Sequence, residues 1–157
     1  MKKIYLAGPC DNENRTLMVR IGKYLRRQGF EVYCPFELQI EGAWDLTQED
    51  WAAKVFYADK TAIENCDFFF MISKGRISSA GTNWEQGYAK GIGKTVFVFQ
   101  ITHEPTSLMT FCGCDYFYNT AEEDIINVLH NVAVMLYDED WEQYFILTHK
   151  KCETVLT

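Results

Sequence analysis

Two uninterrupted apolar runs, Phe68-Phe69-Phe70-Met71-Ile72 and Val96-Phe97-Val98-Phe99, constrain this chain most. A strand with one wet face alternates apolar and polar residues. A run without a polar break is buried on both faces, as an inner strand of a parallel sheet is. Between the runs lie the small residues Ser78-Ser79-Ala80-Gly81-Thr82-Asn83, then Trp84-Glu85-Gln86-Gly87-Tyr88-Ala89, then Gly91, Gly93 and Lys94. The order reads strand, loop, short helix, strand. Such a loop opens at the carboxyl end of a strand, where open α/β sheets bind ligands. Glu85 is expected in the first turn of the helix, with Thr82-x-x-Glu85 at capping-box spacing. A carboxylate there can also face the crevice.

The rest of the chain supplies partners for these strands. Lys3 to Ala7 reads as a first strand ended by Gly8-Pro9. Leu17, Ile21, Tyr24 and Leu25 follow helical spacing, and Gly29 stops that helix. Phe30 to Cys34 reads as a second strand. Residues 35–46 form a loop carrying Phe36, Leu38, Ile40 and Trp44. Thr47 with Asp50 caps a helix whose buried stripe is Trp51, Val55, Ala58 and Ala62. Asp115 to Tyr118 reads as a short edge strand. Thr120 and Glu123 cap a last helix with the stripe Ile125, Leu129, Val132 and Leu136. The expected fold is α/β: a single flavodoxin-like (Rossmann-like) parallel sheet with helices on both faces.

Composition narrows the partners. The 22 acidic residues outnumber the 15 basic ones, for a net charge of -7. That charge disfavours nucleic acid and anionic membranes. No apolar run approaches the ~18 residues of a membrane span. The first residues lead straight into a strand, so a cytoplasmic protein is expected. Without G-x-G-x-x-G there is no dinucleotide fingerprint, and no cofactor is expected. The six cysteines and three histidines build no metal-ligand spacing, and the cysteines are expected to be reduced thiols.

Gly81-Thr82-x-Trp84-Glu85-x-Gly87-Tyr88-Ala89, followed by Gly93-Lys94, resembles the signature of the nucleoside 2-deoxyribosyltransferase family. Ile4-Tyr5-Leu6-Ala7-Gly8-Pro9 and the Cys66-Asp67 pair are similar to that family too, in the same order. The resemblance runs from residue 2 to about residue 130. It implies a family domain over residues 1–136. Residues 137–157 would be a C-terminal extension packed on that domain or on a partner subunit.

The chemistry needs few parts. A carboxylate attacks the anomeric carbon, a glycosyl ester forms, and a second base attacks from the original side with retention. The leaving base needs a proton. The resemblance implies Glu85 as nucleophile, Asp67 as the acid near base and sugar, and Tyr5 as the donor that aims Glu85. It assigns substrate binding to Gly8, Ser79, Gly81, Ser107 and Met109, and Trp44, an apolar side chain on the 35–46 loop over the crevice, is expected to stack on a planar base. It implies transfer of deoxyribose between bases, with nucleosides or nucleotides and free nucleobases as small-molecule partners. It also implies a homo-oligomer, dimer or higher, whose sites are completed by the adjacent subunit through the Ser107 segment. The apolar Leu108, Met109 and Phe111 beside Ser107 would be costly on a monomer's surface.

Two positions depart from the transferases. Ser79 stands where they usually carry an aspartate for the sugar 5′-hydroxyl, and Ser107 where they carry an asparagine. The related 2′-deoxynucleoside 5′-monophosphate N-hydrolases have serine at both. They also carry an arginine where this chain has Cys10-Asp11. Hydrolysis of a 5′-monophosphate by the same residues is therefore the alternative reading. A non-catalytic nucleotide-binding regulatory module on the same fold is the reading from another class.

Overall fold

The apolar runs are the inner strands of a five-stranded sheet. A computed structural model describes residues 1–143 of the chain. The strands are β1 (Lys3–Ala7), β2 (Glu31–Tyr33), β3 (Phe68–Ser73), β4 (Thr95–Gln100) and β5 (Tyr116–Asn119). All neighbours pair in parallel, in the order β2-β1-β3-β4-β5. This is the flavodoxin-like order, whose topological switch lies between β1 and β3. All six residues of β3 are buried, as are five of the six of β4. Each large apolar side chain removed from water contributes roughly 1.5–3 kcal/mol, so this pair of strands anchors the sheet.

Helices α1 (Arg15–Arg27) and α5 (Ile125–Leu136) cover one face, packing on Ile4, Leu6, Phe68, Phe70, Phe97 and Phe99. Helices α2 (Gln48–Asn65) and α3 (Ala80–Gly91) cover the other, over Tyr5, Ala7, Phe69, Met71, Val96 and Val98. A short α4 (Leu108–Cys112) leads into β5. Gly29 ends α1 with a φ of +90°, and a Cβ there would meet the Tyr137 hydroxyl at 2.6 Å. Only glycine fits without strain.

Three local expectations change. The cap of α3 is Ser79, whose Oγ accepts from the Thr82 N–H at 3.2 Å. Thr82 instead spends its hydroxyl on the Gly8 carbonyl, 3.1 Å away. Glu85 therefore sits in the second turn, outside any capping box. Thr47 does cap α2 as expected. The stripe expected to be buried is not, for Trp51 is exposed and Ile63 is the one buried residue of α2. The early turns of α2 line a cleft against α3 instead of the core. Before α5, Glu122–Asp124 form a 3-10 turn, and the Thr120 hydroxyl bonds the Ala121 carbonyl rather than a helix N–H.

The segment after α5 begins on the domain. The Tyr137 ring lies 5.2 Å from that of Phe30, and Trp141 meets Phe68 edge-on at 5.4 Å. The expected apolar residues Tyr144, Phe145, Ile146 and Leu147 lie outside the described residues. Cys10, Cys34, Cys66 and Cys112 are free thiols. No helix among the described residues is long and apolar enough to cross a membrane.

Candidate active site

Tyr5 faces the α2/α3 layer from the middle of β1 and is fully buried. Its ring is held between its register partners, Tyr33 of β2 and Phe69 of β3, with centroids 5.4 and 5.3 Å away. Such cross-strand aromatic stacking fixes the ring and hence its hydroxyl. That hydroxyl donates to Glu85 Oε1 at 3.0 Å. Beside it, the Tyr33 hydroxyl donates to Asp59 Oδ1 on α2 at 2.7 Å. Two neighbouring strands thus hold, through two tyrosines, two carboxyls delivered by two helices.

Both carboxyls are hard to ionise. Burial raises Glu85 from its ordinary value to about 7, the Tyr5 hydrogen bond works against that rise, and the Asp59 charge adds to it. Burial also raises Asp59, with the Tyr33 hydrogen bond opposing. Burial, with the Glu85 charge next, pushes Tyr5 far above the ordinary tyrosine range, so it stays a donor. The charge on Asp59 raises Glu85, so ionising the first carboxyl makes the second harder to ionise.

Glu85 and Asp59 face a cleft of about 440 Å³ between α2 and α3. Its apolar wall is Trp51, Val55, Phe56 and Trp84. Gly81 opens the floor, since a Cβ there would meet nothing within 4 Å. A second cleft, of about 380 Å³, lies on the other flank of the start of α3. Cys10, Asp11, Lys74, Ser78, Ser79 and Thr82 line it. Asp11 turns its carboxylate to Asn14, accepting from the backbone N–H at 2.9 Å and from the side-chain amide. Those bonds, the backbone one first, hold Asp11 below the usual carboxylate range. Burial pushes the Cys10 thiol up to about 11, with Glu85 the next cause, so one field reaches both clefts.

The expected site residues divide into two groups. Tyr5 and Glu85 meet at the crevice, and Gly81 lines it. Ser79 lines the second cleft while capping α3. Gly8 is buried beside it, where its carbonyl holds Thr82. Asp67 does not join them. It stands exposed at the amino end of β3, the far edge of the sheet from the crevice, and its Oδ2 accepts from the Lys3 N–H at 2.7 Å. Trp44 sits fully exposed on the turn Ala43–Asp45 and lines neither cleft. Ser107 caps α4 and Met109 is exposed on its outer side, both away from these clefts. Asp59 is the residue that sequence reasoning missed. Its signal was a carboxylate four residues after Val55 on an apolar helix face, where an unpaired charge is costly.

The profile of the family described as nucleoside 2-deoxyribosyltransferase matches residues 4–144. The chain belongs to the nucleoside 2-deoxyribosyltransferase family. Among solved structures it is similar to a 2-deoxyribosyltransferase from Bacillus psychrosaccharolyticus, with 31% identity and a TM-score of 0.65 over 80% of this chain and 90% of that one. The fold is shared with a CMP N-glycosidase from Clostridium botulinum at 20% identity and a TM-score of 0.59, covering 82% and 99%. It is shared as well with a conserved protein from Enterococcus faecalis at 19% identity and a TM-score of 0.64, covering 81% and 96%. A search of curated protein sequences finds no match. The chain is an enzyme of the deoxyribosyl-transferring type.

Proposed function

We propose that the protein cleaves the N-glycosidic bond of 2′-deoxynucleosides through a covalent Glu85-deoxyribosyl ester and passes the sugar to another nucleobase. The hydrogen bond of 3.0 Å from Tyr5 to Glu85, facing Asp59 across the cleft, carries this reading. Glu85 attacks C1′ as the carbon–nitrogen bond breaks, and the bonding pair leaves with the base. Asp59 gives that base its proton, taking the role expected for Asp67. The acceptor base returns a proton to Asp59 as its nitrogen displaces Glu85. The apolar wall of Trp51, Phe56 and Trp84 suits the flat faces of bases. Incubation with a 2′-deoxynucleoside, with and without a free acceptor base, tests it. A new nucleoside that forms only with the acceptor supports transfer. No base release under either condition refutes it.

One observation favours a second reading. The second cleft brings the Lys74 ammonium together with the Ser78 and Ser79 hydroxyls, a set that suits a 5′-phosphate. Release of base from a deoxynucleoside 5′-monophosphate without an acceptor would mark this hydrolytic specificity. In both readings the protein is a homo-oligomer whose sites are completed by the Ser107 segment of an adjacent subunit. The exposed Leu108 and Met109 beside Ser107 support that assembly.

A further inference from the structure

In the reaction proposed above, one negative charge moves. Before bond cleavage it rests on Glu85, and Asp59 holds a proton. When Glu85 becomes a neutral ester and the base departs with that proton, the charge rests on Asp59. Beside Asp59 are the Tyr33 hydroxyl, bonded to it, and the Glu85 carboxyl of the same cleft, and its charge also acts on Tyr5 and on the Cys10 thiol of the other cleft. None of these is a cation. The Tyr33 hydroxyl, 2.7 Å from Oδ1, is the group that bonds the Asp59 carboxylate.

Tyr33 is built into the site as Tyr5 is. The two are register partners on adjacent strands, with rings stacked at 5.4 Å and an interplanar angle of 21°. Each hydroxyl meets one carboxyl, Tyr5 that of Glu85 and Tyr33 that of Asp59. Tyr33 holds Oδ1, which leaves Oδ2 the freer oxygen to exchange the proton with the base.

We propose that Tyr33 is a positioning residue for the departing base: it aims Oδ2 of Asp59 and stabilises the negative charge that Asp59 acquires as the base is protonated. This rests on the reading of Asp59 as the proton carrier. A hydrogen bond to a developing charge strengthens along the reaction, so Tyr33 acts on the barrier more than on substrate binding.

The test pairs 2′-deoxyguanosine with 7-methyl-2′-deoxyguanosine, or their 5′-monophosphates. The methylated base is already cationic and departs neutral without a proton. Tyr33→Phe keeps the stacked ring and removes only the hydroxyl. It is expected to lower kcat for deoxyguanosine about 10-fold or more, the worth of a hydrogen bond to a charged group, with KM little changed. The methylated substrate should lose about 2-fold at most. The ratio of the two rates on one preparation does not depend on how much of the variant is folded. Asp59→Asn should show the same leaving-base dependence, larger, at about 100-fold. Tyr33→Phe added to Asp59→Asn should cost nothing further. Equal slowing of both substrates by Tyr33→Phe, or an undiminished cost in the Asp59→Asn background, overturns the proposal. Leaving-base dependence in Asp59→Asn but not in Tyr33→Phe overturns it and leaves the role of Asp59 standing. Its absence from Asp59→Asn overturns both.

Discussion

Tyr5 on β1 and Glu85 on α3 meet through one hydrogen bond of 3.0 Å, and the tyrosine ring that makes it is clamped between two aromatic neighbours. The bond favours the ionised form of Glu85 in a site where burial and Asp59 disfavour it. The proposed reaction uses the form of the pair that carries one proton, with Glu85 charged and Asp59 protonated. As pH rises through about 7 the pair loses that proton and the base can no longer be protonated. The kcat/KM profile should be a bell with its alkaline limb near 7. Tyr5→Phe keeps the stack and removes the donor. It should lower kcat by about 10- to 100-fold and move the alkaline limb to higher pH. Full activity with an unmoved limb would show that the bond plays no part in catalysis.

Glu85 should cost the protein stability in return. Its folded value of about 7 lies above its ordinary value of 4.5, so the native state holds a proton that the unfolded chain gives up. Stability is fully present below about 4.5 and falls as pH rises to about 7. Glu85→Gln has no such titration and still accepts from Tyr5. Its melting temperature should match the wild type at acid pH and exceed it by roughly 3–6 °C at alkaline pH, discounted for partial exposure. The same variant should be inactive and take no sugar adduct from a 2′-fluoro-arabino nucleoside. A melting difference that is flat with pH would mean that Glu85 is not desolvated.

The sheet was legible because its strands are one-dimensional signals. Phe68 to Ile72 and Val96 to Phe99 have no polar break, and that alone requires two covered faces. Tyr5 and Glu85 were legible through the motifs around them. Asp59 was not, because its role depends on where α2 crosses the sheet. Expecting a buried stripe at Trp51, Val55, Ala58 and Ala62 treated that helix as core, whereas its early turns wall a cleft. Asp67 misled for the converse reason. Adjacency to an inner strand says nothing about which end of the strand a residue occupies, and the amino end of β3 faces away from the crevice. The helix start was off because Ser79 and Thr82 compete for the same cap, and Thr82 is taken by Gly8.

Assembly is testable on α4. Leu108 and Met109 are 80% and 83% exposed, so replacing them disturbs little within one subunit. Leu108→Glu with Met109→Glu should leave the melting cooperative and convert the oligomer to monomer in sedimentation. Activity should fall about 10-fold or more, because a site completed by a neighbour loses part of its wall. A monomeric variant with full activity would show that each chain holds a whole site.

Ser79 tests whether the second cleft takes the 5′ end of the substrate. Ser79 Oγ accepts from the Thr82 N–H at 3.2 Å and pairs with the Thr82 hydroxyl at 2.8 Å, so it is both cap and cleft wall. Aspartate caps a helix as well as serine does, and Ser79→Asp should leave the melting temperature within a few degrees. What it changes is charge. Lys74 is the cation of this cleft, and Asp11 has already turned its carboxylate to Asn14. A new carboxylate at position 79 would pair with Lys74 and repel a phosphate. It would also accept a sugar 5′-hydroxyl more strongly than serine does, since charged hydrogen bonds are about twice as strong as neutral ones. Ser79→Asp should therefore lower any activity on 5′-monophosphates by about 10-fold or more relative to free nucleosides, mostly through KM. Lys74→Met should lower monophosphate activity too, without improving the nucleoside. Glu85 is untouched in both variants, so the products should stay the same. A ratio of monophosphate to nucleoside activity that neither variant moves would mean that the 5′ group lies elsewhere.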